Sequence, residues 1–280
     1  MGSGHGGAFP VKDFVALDSA SSTSADHPPN ISGLAPGTVD FGADALFLDF
    51  DGTLAEIAPA PDLVHFFPET RQIIDALAKS FSGAVAIVTG RNISEIDGHL
   101  APLRLPIAGL YGLVHRTAAG DIVDFPVVGK ALARASAELK AMVGQHPGLL
   151  LELKGQTIAL HYRSRPDLGA ACYEAVSNAV RGRPGLKMIE GKMVVEITPS
   201  GADKGRAVQD FLREQPFKGR RPIYAGDDVS DEDAFAVVNA TGGIAIKIGP
   251  GSTTARFRAN DIAELLAWLT AVSHLPSAPA

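Results

Sequence analysis

Ala45-Leu46-Phe47-Leu48-Asp49-Phe50-Asp51-Gly52-Thr53 sets four apolar residues in a row against a loop that carries two carboxylates and a glycine. An unbroken apolar run of that length reads as a strand buried on both faces, as in the interior of a parallel sheet. Two carboxylates so close repel when both are ionised. A lone Asp-x-Asp is therefore either turn chemistry or the start of a site for a hard, oxygen-seeking cation such as Mg²⁺.

Working outward, helical spacing of Ile73, Ile74, Leu77 and Ala78 behind Pro68 predicts a helix over 69–81. Val85 to Val88 then repeats the buried-strand signal, and a helix over 94–100 and a strand over 107–110 follow. Strand and helix in alternation predict an α/β fold, a Rossmann-like parallel-sheet core with helices on both faces, whose ligands bind at the carboxyl ends of the strands. The texture changes between about 114 and 198. Leu149 to Lys154 with Thr157 to Tyr162, and Leu186 to Ile189 with Met193 to Ile197, read as hairpins around a helix over 168–180. They predict a small α+β cap domain inserted into the core. Alternation resumes with a helix from Lys204, a strand over 222–225, a helix capped by Ser230, a strand over 244–248 and a helix over 261–271. The expected organisation is a flexible tail over 1–42, a core over 43–113 and 199–272, the cap over 114–198, and a flexible end over 273–280.

The chain has 280 residues, with 25 Lys and Arg against 31 Asp and Glu and a formal charge of −6. A net acidic chain has no general pull toward nucleic acid or anionic membrane, so neither is expected as a partner. Cys172, the single cysteine, excludes an intramolecular disulfide framework. The apolar runs are far shorter than the roughly 20 residues of a membrane span, and the first residues lack the basic-then-apolar pattern of a signal peptide. A cytoplasmic monomer is expected.

Three further stretches stand at predicted strand or helix tips. Gly226-Asp227-Asp228-Val229-Ser230-Asp231 follows the strand Ile223-Tyr224-Ala225; with Ser230 as the cap, Asp227 and Asp228 precede it, and helix capping leaves them unexplained. If the two strands are parallel neighbours, Asp49 and Asp227 converge on one cation. Lys204 stands in a first helical turn, behind Asp203, where the helix dipole disfavours a cation by a few tenths of a kcal/mol. Thr89-Gly90-Arg91 offers a hydroxyl and backbone N–H groups suited to phosphoryl oxygens. Gly185 to Lys192 has the wrong spacing for a P-loop, and the scattered histidines have no zinc pattern.

In this order, Asp49-Phe50-Asp51-Gly52-Thr53, Thr89, Lys204 and Gly226-Asp227-Asp228 with Asp231 resemble the four motifs of the haloacid dehalogenase superfamily of phosphotransferases, and the insert lies where its type-IIB caps occur. Within it, Glu152-x-Lys154, His161-Tyr162-Arg163 and Gly191-Lys192-Met193-Val194-Val195-Glu196 resemble the trehalose-6-phosphate phosphatase family. The stretch Gly109 to Val114 departs from that pattern, which has His where Tyr111 stands and often an acid near Val114.

The resemblance implies a Mg²⁺-dependent phosphatase acting on a small-molecule sugar phosphate through an aspartyl-phosphate. Asp49 would be the nucleophile and Asp51 the general acid and base; Asp49, the Asp51 carbonyl and Asp227 would hold the metal, with Asp228 and Asp231 behind it. Lys204 and Thr89 would serve the phosphoryl group with Gly52, Thr53, Gly90 and Arg91. Glu152, Lys154, Arg163, Lys192 and Glu196 would hold the sugar and its phosphate. The cap residues could instead form cross-strand ion pairs on a solvated sheet face. Other open readings are a phosphatase for another sugar phosphate, such as sucrose-phosphate, and an inactive sugar-phosphate-binding regulatory module.

Overall fold

The computed structural model describes residues 28–58, 63–125 and 129–276. Its larger sheet has eight strands in the order β12-β11-β10-β1-β2-β3-β4-β5. Six of them are β1 (Asp44–Leu48), β2 (Val85–Val88), β3 (Ile107–Gly109), β10 (Arg221–Gly226), β11 (Ile244–Ile248) and β12 (Phe257–Ala259). All six run parallel. Every residue of β1, β2 and β11 is buried, as strands covered on both faces require. Helices α1 (Pro68–Ser80), α2 (Ile93–Leu100), α5 (Lys204–Phe211), α6 (Glu232–Ala240) and α7 (Ile262–Ser273) flank this sheet. A continuous apolar core from Ile31 to Val272 fills the layers. Pairing of β1 with β10 sets Leu48 beside Ala225, so Asp49 and the Gly226-Asp227 turn leave the sheet at one edge.

The second sheet is antiparallel, in the order β6-β7-β9-β8. It is built from β6 (Leu150–Leu153), β7 (Ile158–His161), β8 (Leu186–Gly191) and β9 (Val194–Pro199). One face buries Leu160, Val195 and Ile197 against Leu132 and Leu139 of α3 (Gly129–Gln145) and Cys172 and Val176 of α4 (Gly169–Val180). The register aligns Glu152, Ala159, Glu196 and Ile189 in one row across the four strands. Because side chains alternate in direction along a strand, that row shares the other face, with the two glutamates on either side of Ala159.

Several expectations need correction. Residues 114–124 do not belong to the insert: β4 (Val114–Arg116) and β5 (Ile122–Asp124) pair antiparallel with β3 and with each other in the large sheet. Arg116 anchors this extension, donating to both Asp97 carboxylate oxygens at 2.7 Å and to the Leu105 carbonyl. The change of layer falls instead between Asp124 and α3. The tail expected to 42 is packed from residue 30. Ile31, Leu34 and Val39 join the core, Asn30 bridges to Arg258, and the Trp268 indole donates to the Leu34 carbonyl at 2.9 Å. The remainder of that tail, residues 1–27, lies outside the described residues. At the other end α7 reaches Ser273 and Leu275 packs on the core, while 277–280 lie outside the description. Among the described residues no helix is long and apolar enough to cross a membrane.

Candidate active site

In the cleft between the two sheets, core residues Asp49, Asp51, Thr89, Lys204 and Asp227 face cap residues Glu152, Lys154, Arg163, Lys192 and Glu196. Sequence positions 155 residues apart meet on its core side: Lys204 Nζ donates to Asp49 Oδ1 at 2.7 Å, and to Asp231 Oδ1 at the same distance. The lysine is 3% exposed and the two carboxylates are buried with it. An ammonium removed from water with no partner would lose its proton readily. Here burial pulls the Lys204 pKa down, but the charges of Asp231 and Asp49 outweigh it and hold the lysine protonated well above its ordinary range. Burial pushes Asp49 well above the carboxylate range, with Lys204 opposing.

Asp231 is fully committed. Its Oδ1 accepts from Lys204 and from the Tyr224 hydroxyl at 2.6 Å, and its Oδ2 accepts the backbone N–H groups of Asp227 and Asp228 at 3.0 and 2.9 Å. Asp228 in turn caps the short turn Val229–Asp231, reciprocating with Asp231 in a capping box. The expected cap at Ser230 is therefore displaced two residues upstream, and capping does account for Asp228. Asp227 differs from both. Its backbone carbonyl accepts from Lys247 Nζ and its Oδ2 from Lys192 Nζ, yet Oδ1 is buried with no hydrogen-bond partner. Gly52 explains how it comes so near the first loop: a Cβ there would stand 2.0 Å from Asp227 Oδ2, and Gly52 also has φ of +80°, where side chains are strained.

The Arg91 guanidinium grips Asp51 with two bonds, Nε to Oδ2 at 2.7 Å and Nη2 to Oδ1 at 2.9 Å, and reaches Glu95 at 3.1 Å. In this state it holds the carboxylate expected to serve as acid and base. Thr53 hydrogen-bonds Asp49 Oδ2 at 3.3 Å and the Thr89 hydroxyl accepts the Arg91 N–H at 3.2 Å.

On the cap side, Lys154 Nζ lies 3.3 Å from Glu196 Oε1 and 3.8 Å from Glu152 Oε2, and Glu152 pairs with His161 Nε2 at 2.9 Å. The lysine and Glu196 side chains are only 8% and 6% exposed, which is not the solvated face that simple surface ion pairs would need. Burial pulls Lys154 down but Glu196 and Glu152 outweigh it. Glu196 Oε2 is buried without a partner. Arg163 donates to the Lys192 carbonyl at 3.0 Å, so these two residues brace each other at the cleft rim.

The Trehalose-phosphatase family model matches residues 47–263. Trehalose-6-phosphate phosphatase of Escherichia coli (strain K12) is 40% identical over 232 residues, which is 82% of this chain and 86% of the relative. The chain belongs to the trehalose-phosphatase family. A probable trehalose-phosphate phosphatase of Sinorhizobium fredii is 43% identical, over 74% of this chain and 78% of its own. In fold, the chain matches the C-terminal domain of the C. albicans trehalose-6-phosphate phosphatase with a TM-score of 0.78 at 20% identity, over 90% of this chain and all of that one.

The haloacid-dehalogenase fold of such phosphatases implies a divalent cation, and this trehalose-phosphatase family member has donors that fit one. Carboxylate oxygens of Asp49, Asp227 and Asp231 lie within 4.8 Å of one another. With Asp231 saturated by four donors, Asp49 and the orphaned Oδ1 of Asp227 are the carboxylate ligands left, and a hard cation takes oxygen donors. Two neighbours escaped the sequence reasoning. Tyr224 reads as core within its strand. Lys247 had a signal: a charge inside the buried run Ile244–Ile248 breaks the apolar pattern and needs a partner, here the Asp227 carbonyl.

Proposed function

We propose that this chain hydrolyses trehalose 6-phosphate to trehalose and phosphate, with Mg²⁺ as its cation. The observation that carries this assignment is the division of one cleft: a buried carboxylate and ammonium cluster on the core side, and a floor of two glutamates and a lysine on the cap side. The first suits a phosphoryl group, the second a polyhydroxylated body, since carboxylates accept from sugar hydroxyls and ammonium groups donate to their oxygens.

A carboxylate oxygen of Asp49 attacks phosphorus, forming an acyl-phosphate as the bond from phosphorus to the sugar O6 breaks. Asp51 delivers a proton to that leaving oxygen, which requires its carboxyl to leave the Arg91 fork and turn into the cleft. Trehalose departs, water attacks the phosphoryl group, and Asp51 takes a proton from it, so that Asp49 is regenerated and phosphate is released. Lys204, bound to Asp49, stands where charge gathers on the phosphoryl oxygens, and being positioned in advance it needs no reorganisation. Thr53 and Thr89 present hydroxyls beside it, and the Gly52 and Gly90 backbones allow the close approach. Mg²⁺, held by Asp49, Asp227 and the Asp51 carbonyl, would supply the remaining charge neutralisation. Glu152, Lys154 and Glu196 hold the sugar while Arg163 and Lys192 close the rim. A single chain supplies every one of these groups, so we read the enzyme as a working monomer.

Phosphate release from trehalose 6-phosphate, sucrose 6-phosphate and glucose 6-phosphate tests the assignment. Trehalose 6-phosphate should lead in kcat/KM by at least about tenfold, the discrimination a few sugar hydrogen bonds supply; equal rates on all three would refute it. Chelation should silence turnover, and Mg²⁺ should restore it.

A further inference from the structure

Two lysines reach Asp227, one from the core and one from the cap. Lys247, buried within β11, donates to the Asp227 backbone carbonyl and, at 3.0 Å, to the Ile248 carbonyl. Lys192 donates to the carboxylate itself, at Oδ2. The two differ in freedom. Lys247 is enclosed by the large sheet, whereas Lys192 stands at the turn between β8 and β9, its side chain 48% exposed against 2% for Asp227. That turn lies close on the acidic loop of the core, since a Cβ on Gly191 would stand 3.2 Å from Asp228 Oδ2. Arg163 steadies the turn from the cap side through its bond to the Lys192 carbonyl at 3.0 Å. The Lys192 side chain therefore reaches its core partner as part of the cap, and it lines the same cleft as Thr89 and Lys204.

The Asp227 carboxylate is thus divided: Oδ2 takes the cap lysine, and Oδ1 is the orphaned oxygen that a divalent cation would take. Two positive charges on one carboxylate repel, so each weakens the hold of the other. That weakening is reciprocal by linkage. A phosphoryl group changes the balance, because its dianion offers an ammonium stronger charge-assisted bonds than a carboxylate shared with a cation. We propose that Lys192 couples the cap to the cation site through Asp227. With no anion in the cleft, its bond to Oδ2 opposes cation binding; with a phosphoryl group bound, the lysine turns to that group and the opposition ends. The cap then closes on a loaded cation site only over a phosphorylated ligand. This rests on the reading of the cleft as a cation-dependent phosphoryl site.

The test measures Mg²⁺ binding by isothermal titration calorimetry, with no substrate, on the full-length wild type, Lys192→Gln, Lys192→Arg and Lys187→Gln. The last removes the same charge from the far end of β8. Lys192→Gln should bind Mg²⁺ about five- to tenfold more tightly than the wild type, the lower end of what coupling between sites supplies, because a half-exposed ammonium is screened. Lys192→Arg, which keeps the charge, and Lys187→Gln should stay close to the wild type. With saturating inorganic phosphate present, the advantage of Lys192→Gln should vanish or reverse. In the wild type, Mg²⁺ alone should speed amide exchange at residues 191–194, and phosphate should undo that change. Unchanged or weaker Mg²⁺ affinity in Lys192→Gln, an equal gain in Lys187→Gln, a gain undiminished by phosphate, or unaltered exchange at the turn would overturn the proposal. If neither the wild type nor Lys192→Gln binds Mg²⁺, the cation reading fails and the linkage with it; if both bind it equally, the linkage alone fails.

Discussion

The two walls of the cleft are built on different principles. On the core wall the charges around Lys204 are saturated: Lys204, Asp231 and Tyr224 close on one another at 2.6 to 2.7 Å, Asp231 takes four donors, and the open oxygen beside them is Asp227 Oδ1, which a cation would take. On the cap wall the contacts around Lys154 run from 3.3 to 3.8 Å, and a glutamate oxygen is left without a partner. A saturated cluster is already arranged for the charge that develops during phosphoryl transfer. A loosely held one is completed by its ligand, because hydroxyls of the substrate make the bonds the cap leaves unmade. Chemistry is thus assigned to the wall that does not need the substrate to be ordered, and selectivity to the wall that does.

The comparison breaks first at Asp49. Asp49→Asn should lower phosphate release by at least about a thousandfold, since the amide is not a nucleophile, while circular dichroism shows a folded protein; residual turnover near the wild-type level would remove Asp49 from the chemistry. Lys204→Ala comes next. It leaves Asp49 and Asp231 buried without their counter-ion and should cost about 3–5 kcal/mol of unfolding free energy, measured by urea titration, as well as activity. A loss of activity with unchanged stability would mean that the cluster is not the strut it is taken for. On the other wall, Glu152→Gln should raise KM for the sugar phosphate by about three- to tenfold, with a smaller fall in kcat and little change in the unfolding midpoint. A stability loss as large as that of Lys204→Ala would erase the distinction between the walls.

The smallest effect concerns pH. Asp97 is held below the ordinary carboxylate range, mainly by its hydrogen bonds to Arg116 against the opposing cost of burial. A group with a depressed folded pKa contributes its full stability above the unfolded value of about 3.9, and loses it as pH falls through the lower folded value. Asp97→Asn should accordingly flatten the acid side of the thermal-midpoint profile below about pH 4, and leave KM for the sugar phosphate unaltered.

Much of the core was legible from residues alone. The apolar runs at Ala45 to Leu48 and Val85 to Val88 predict buried strands, and both lie in the centre of the sheet. What escaped notice lacked that contrast. β5 has three residues, all exposed, and the pair Ile122-Val123 is too short to show a period, so its pairing with β4 was invisible to a reading by periodicity. Helix α3 buries Leu132, Ala135, Ser136 and Leu139, a stripe half made of small residues that carry little hydrophobic signal. The Asp228 cap was hidden by Ser230, an equally good capping residue two positions later. Tyr224 looked like core because its ring is core, packed edge-on to Phe235; only the hydroxyl belongs to the site.

The sequence by itself determined the residue types and their order: acidic pairs at strand ends, a lysine against the rule at a helix start, and charged residues in an inserted pair of hairpins. Those follow from local chemistry, which a linear reading can weigh. Which atoms are spent and which are left was decided by tertiary structure. That Asp231 is saturated while Asp227 Oδ1 is free, and that Arg91 grips Asp51, depend on contacts between residues 4 to 40 positions apart in the chain. Hydrogen-bond capacity is a local property; its satisfaction is set by the fold.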